Sequence, residues 1–147
     1  MANLTFDLAL SDESINKDWQ FKDLSIDIRT TKDGKDIEVS KDISAIQNGI
    51  TNMFMFIQGE RILNPDFGNS IYKYIYEPIT DVVASKIKHE IELMFNMWEP
   101  RVTITYINVI PDEDHNTFNI EVIYEIPSLS VGGLSYKTAL ESRRENY

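Results

Sequence analysis

Residues 98–126 read WEPRVTITYINVIPDEDHNTFNIEVIYEI, and their pattern decides the fold. Pro100 limits any helix running into the stretch, because proline biases the residue before it away from helical geometry. Val102, Ile104 and Tyr106 then alternate with Thr103 and Thr105, the period of two that marks a half-buried strand. Ile107 and Val109 change that phase, which predicts a bulge or burial on both faces. Past an acidic loop at 111–116, Phe118, Ile120, Val122, Tyr124 and Ile126 alternate with Asn119, Glu121 and Glu125. The expectation is a strand pair closing the core.

Upstream the period turns helical. Val83, Ile87, Ile91, Met94 and Trp98 follow steps of three and four, while Lys86, Lys88, Glu90 and Glu92 fill other faces. Thr80 suits the N-cap and Asp81 the positive end of the helix dipole. Before it, Ile71, Tyr74 and Ile75 predict a short helix stopped near Glu77-Pro78. Segment 59–70, GERILNPDFGNS, is a loop with specific turn demands. Ile43, Ile46, Ile50, Met53, Phe54 and Ile57 draw another helical stripe, with Ser40 as its cap and Gly59 as a left-handed residue at its end. Leu24, Ile26 and Ile28, then Asp33-Gly34, then Ile37 and Val39 predict a hairpin over 24–40. Leu4 to Leu10 alternate as a further strand, and Trp19 and Phe21 are expected to anchor the polar segment 11–23. Strands, helix, loop, helices and strands in that order imply an α+β fold, two main helices on a small, mostly antiparallel sheet. Residues 1–127 are expected to form a single domain. Residues 128–147 are a polar tail, open between a strand, an arm ordered on a partner and a disordered end.

The 147 residues suffice for a core without staples, and there is no cysteine to supply a disulfide, a thiol nucleophile or a thiolate metal ligand. Lys and Arg number 14 against 24 Asp and Glu, a formal charge of −10. That balance disfavours nucleic acid and anionic membranes, both of which need Lys and Arg. The first residues, MANLTFDLALSDES, lack the basic start and apolar run of a signal peptide, and the longest apolar run, Met53 to Ile57, is too short to span a bilayer. The chain is expected to be cytosolic when made.

Catalytic motifs are wanting. His89 and His115 lie apart, and the acids around His115 lack the spacing and glycine of a calcium loop. Glu60, Asp66, Glu77 and Glu99 could supply the two carboxylates of a muramidase, but with 24 acids such a coincidence has little specificity. No catalytic residue, metal or cofactor is assigned. Four other motifs stand out: GER at 59–61, NPDFG at 64–68, YEP at 76–78 and WEPR at 98–101. Each sets a charge beside a rigid or permissive backbone residue at an element's end. Acid and arginine so placed can pair in bidentate fashion or bond orphaned helix-end groups. Spacing favours an internal network over a partner site at Arg61 or Arg101.

From Asp42 through Ile126, these motifs in this order resemble the baseplate wedge family of contractile-tailed phages, also described as sheath initiators. Relatives of that family occur in type VI secretion and other contractile injection systems, and some carry a lysozyme-like label. The matching residues are Gly59, Glu60, Arg61, Pro65, Phe67, Gly68, Glu77, Pro78, Glu99, Pro100 and Arg101. The resemblance implies a structural subunit of the virion tail baseplate, placed where the wedges meet the inner tail. It also implies partners: other wedge subunits, tail sheath subunits, and inner tail or tube proteins. Sheath arms would add strands to the sheet, and Glu99, Pro100 and Arg101 would hold the subunit to the helical core bundle of the wedge. A free-standing interaction module of the same fold is the remaining alternative.

Overall fold

In the computed structural model, which describes residues 19–24 and 39–141, the order is β1 (Lys22–Leu24), β2 (Val39–Lys41), α1 (Ile43–Met55), a 3-10 helix (Ile71–Tyr76), α2 (Asp81–Trp98), β3 (Thr103–Asp112), β4 (Thr117–Ile126), a 3-10 turn (Pro127–Leu129) and β5 (Val131–Glu141). The chain divides into two compact units between Ala45 and Ile46. None of the described helices is long and apolar enough to cross a membrane.

In the first unit β1 pairs antiparallel with β2, Lys22 opposite Lys41 and Leu24 opposite Val39. The ends of the expected hairpin therefore meet, while its Asp33-Gly34 turn and the strand at 4–10 lie outside the described residues. Trp19 is half-buried under the Lys41 ammonium, 4.4 Å from the ring centre. Ser40 is not positioned as the expected cap, because strand pairing continues through it to Lys41. Ser44 instead exchanges two hydrogen bonds with the Lys41 backbone, at 3.1 and 2.8 Å. Asp42, at φ 49°, turns the chain from strand to helix and accepts the Gln20 N–H at 3.0 Å.

The second unit holds a three-stranded antiparallel sheet, β3-β4-β5, with β4 central. Phe118, Ile120, Val122, Tyr124 and Ile126 are all buried, as the alternation required. The phase change in β3 is a bulge: Ile104 faces Tyr124, Tyr106 faces Ile123, and Thr105 is the extra residue. Beyond it Ile107 is buried and Tyr106 turns to solvent. Residues expected to belong to a separate tail form β5 over Val131–Glu141, paired along β4. This adds a third strand to the expected pair, and residues up to Glu141 are ordered on the chain's own sheet.

Ile46, Ile50, Met53 and Phe54 of α1 are buried, and the Phe54 ring stacks on Tyr136 of β5 at 4.8 Å. Val83, Ile87, Ile91 and Met94 of α2 are buried too, joined by Phe95, which meets Phe54 edge-on at 6.2 Å. Thr80 caps α2 as expected, its Oγ1 accepting the Val83 N–H at 3.4 Å. Each large apolar side chain so buried stabilises the fold by roughly 1.5–3 kcal/mol.

Candidate functional site

The site is the corner where the C-terminal ends of α1 and α2 meet the loop 56–70. Helix α1 ends at Met55 with backbone carbonyls that lack partners in the helix. Asn69, fully buried, supplies them. Its Nδ2 donates to the carbonyls of Phe54 at 2.6 Å and Phe56 at 3.0 Å, and its own N–H bonds Phe56 O at 2.9 Å. Gly68 beside it has φ +115°, and a Cβ there would stand 2.5 Å from Phe56 O. Backbone pairing this close admits only glycine. Gly59 also has positive φ, +96°, but it lies four residues beyond the helix, its N–H donating to Pro65 O at 2.8 Å. The expected helix-end role of Gly59 thus passes to Asn69, reached only because the loop doubles back.

Glu60 accepts the Ile57 N–H at 2.9 Å, and the Arg61 guanidinium lies over the Phe67 ring at 4.7 Å. Phe67 meets Trp98 of α2 at 5.2 Å and Phe56 at 6.1 Å, tying the loop to both helix ends. Helix α2 closes with the Glu99 N–H on Phe95 O, and Val102 N–H on Glu99 O at 3.1 Å makes residues 99–102 a turn. Pro100 takes its second position, where a fixed φ suits the geometry. That turn directs Arg101 back onto Glu99: Nε to Oε1 at 2.5 Å and Nη2 to Oε2 at 2.6 Å. The Glu99 side chain is 3% exposed and that of Arg101 38%, so a buried carboxylate holds a half-exposed guanidinium. Gly49 of α1 completes the seat, since a Cβ there would lie 2.9 Å from Glu99 Oε2.

Of the motifs expected to form a network, GER, NPDFG and WEPR converge here. YEP does not: α2, 18 residues and hence about 27 Å long, separates Glu77-Pro78 from Glu99. Glu77 pairs with Lys86 at 3.3 Å. Three of the four acids considered for catalysis have separate partners: Glu99 holds Arg101, Glu60 a backbone N–H and Glu77 Lys86. His115 sits in a solvated turn bonded to Asp112 at 2.8 Å. Among the described residues no cluster of acids and histidines could hold a metal.

Three residues escaped the sequence reading. Gly49 and Asn69 carry no local signal, because their partners are distant in the chain. Glu90, which periodicity places only off the apolar stripe, accepts from Lys73 Nζ at 2.5 Å, Ser70 Oγ at 2.6 Å and Tyr74 OH at 3.3 Å. The Lys73 ammonium and the Ser70 hydroxyl hold its carboxyl below the usual carboxylate range. It pins the 3-10 helix, and with it the end of the loop, to α2. A groove of about 560 Å³ lies between α2 and β3, lined by Lys88, Glu92, Asn96, Pro100 and Thr103 to Ile107.

The family model for baseplate wedge protein gp25 matches residues 38–128, which contain every residue of this corner. Baseplate wedge protein gp25 of Enterobacteria phage T4 is 27% identical over 92 residues, 63% of this chain and 70% of that protein. Two solved structures share the fold. A candidate tail lysozyme from Geobacter sulfurreducens superposes with a TM-score of 0.61 at 22% identity, covering 69% of this chain and 91% of that one. A chain of the anti-feeding prophage baseplate gives 0.66 at 21% identity, covering 72% and 85%.

Proposed function

The chain belongs to the baseplate wedge protein gp25 family, and from that premise we propose that it links the wedge core bundle to the inner tail and templates the first sheath ring. The family places it among structural proteins of the contractile tail baseplate. The observation that carries the finer reading is the Glu99–Arg101 corner. A buried carboxylate and a proline-fixed turn hold one half-exposed guanidinium at the surface, beside the loop that Phe67 ties to Trp98. A guanidinium fixed in this way offers its positive charge in a set position to a partner's carboxylate or helix-end carbonyls.

Strand addition has room as well. The chain's own β5 covers one side of β4, so among the described residues the sheet's outer edges are β3 and β5. The groove beside β3 favours that edge, where an added segment would gain main-chain hydrogen bonds. The partners are then wedge subunits at the corner, sheath arms at the sheet, and inner tail proteins nearby. We read the role as structural rather than catalytic, a reading supported by the family's description as a baseplate wedge protein.

The test is Arg101→Ala in the full chain, read by circular dichroism and by pull-down with wedge subunits. A folded variant that no longer attaches is the expected result. Full attachment by the variant overturns the corner's role. Purified protein is also expected to leave a peptidoglycan suspension turbid; clearing that vanishes on substitution of one acid would make it an enzyme.

A further inference from the structure

Ile62 and Leu63 are 95% and 97% exposed. The Asn64 N–H bonds Arg61 O at 3.1 Å, making the two the central pair of a tight turn. Turn centres favour Gly, Pro, Asn, Asp and Ser, so adjacent branched aliphatics there place apolar surface in water against the local preference. The tip is also firmly founded. Gly59 N–H bonds Pro65 O at 2.8 Å, Phe67 N–H bonds Asn64 O at 3.1 Å, and Arg61 lies on the Phe67 ring.

We propose that Ile62 and Leu63 form a docking knob that seats in an apolar pocket on a different protein subunit. The identity of that neighbour, a wedge subunit, rests on the function proposed above. A convex tip with almost all its surface free fits a concave site, and a preorganised tip loses little freedom on binding. Charge decides between occupants. A chain of formal charge −10 repels anionic lipid and repels a second copy of itself. A second copy also offers poor complementarity at two of its grooves, which carry charges, Lys88 and Glu92 in one and Glu121 and Lys137 in the other. The pocket therefore belongs to a partner of more basic surface.

The full chain, an Ile62→Ser/Leu63→Ser double variant and Arg101→Ala are each titrated against purified wedge subunits, with circular dichroism to check folding. The double variant is expected to fold and to bind at least about tenfold more weakly, equivalent to about 1.4 kcal/mol. A photoreactive group in place of Leu63 is expected to cross-link into an apolar pocket of a wedge subunit. Unchanged binding by the double variant, with Arg101→Ala still weakened, removes the knob and leaves the proposed function standing. Cross-linking to a second copy, or tip-dependent binding to phosphatidylcholine vesicles, overturns the occupant. A wild-type chain that binds no wedge subunit overturns both readings together.

Discussion

Arg101 grips Glu99 through two parallel hydrogen bonds, and the carboxylate so held lies against the bare backbone of Gly49. The pair is nearly dry on one side and wet on the other, which sets what substitution does. Arg101→Ala leaves a buried carboxylate without its cation and is expected to cost about 2–3 kcal/mol in urea unfolding. Adding Glu99→Gln removes the stranded charge, so the double variant should recover about 1 kcal/mol. Strict additivity of the two would show that they act independently.

Gly49→Ala makes a subtler case. Alanine gains up to about 1 kcal/mol of helix propensity over glycine, while the new Cβ pushes Glu99 Oε2 from 2.9 Å. The carboxylate is the end of a flexible side chain, so it can shift. Stability is expected to change by less than about 1 kcal/mol, with a displaced Arg101 Nε–H resonance. An unmoved resonance would remove Gly49 from the seat.

The two positive-φ glycines of the loop should separate sharply. Gly68→Ala combines backbone strain with a Cβ 2.5 Å from a carbonyl oxygen, and is expected to cost about 3 kcal/mol or more. Gly59→Ala meets nothing within 4 Å and should cost only about 1 kcal/mol of strain. Equal melting temperatures for the two variants would contradict the close approach at Gly68.

Asn69→Ala strips the end of α1 of its side-chain donor and is expected to cost about 2–3 kcal/mol. Asn69→Asp should be worse, because an acceptor replaces the donor among carbonyls. Hydrogen exchange should localise the loss to the last turn of α1.

Glu90 sets an acid limit. Its folded-state pKa is lowered, chiefly by Lys73 and then by Ser70, so its stabilisation is present above the unfolded value of about 4.3 and disappears as pH falls through the folded one. Lys73 is raised by the same bond, and its share is lost only as pH climbs past about 10.4. Lys73 is half exposed, so solvent screening limits the pair to about 1 kcal/mol. Glu90→Gln should flatten the acid limb of the stability curve and leave neutral pH little changed beyond that amount.

Much of this was legible beforehand. The alternation from Phe118 to Ile126, the stripe from Val83 to Trp98 and the bulge beside Tyr106 are statements about which side faces the core. A period carries that information locally, because each residue's direction follows from its neighbour's. β5 was legible only faintly, as Leu134, Tyr136 and Leu140 in alternation, since Gly132-Gly133 and polar residues interrupt it.

The linear order of residues determined the helices, the strand pair after them, the helix stop at Pro100 and the family to which the chain belongs. Tertiary structure decided which partner each polar group took: Asn69 for the carbonyls of α1, Gly49 for the back of Glu99, and Glu90 for Lys73. A hydrogen bond depends on atoms within about 3 Å of each other. Separation along the chain says nothing about that distance until the helices and sheet have packed.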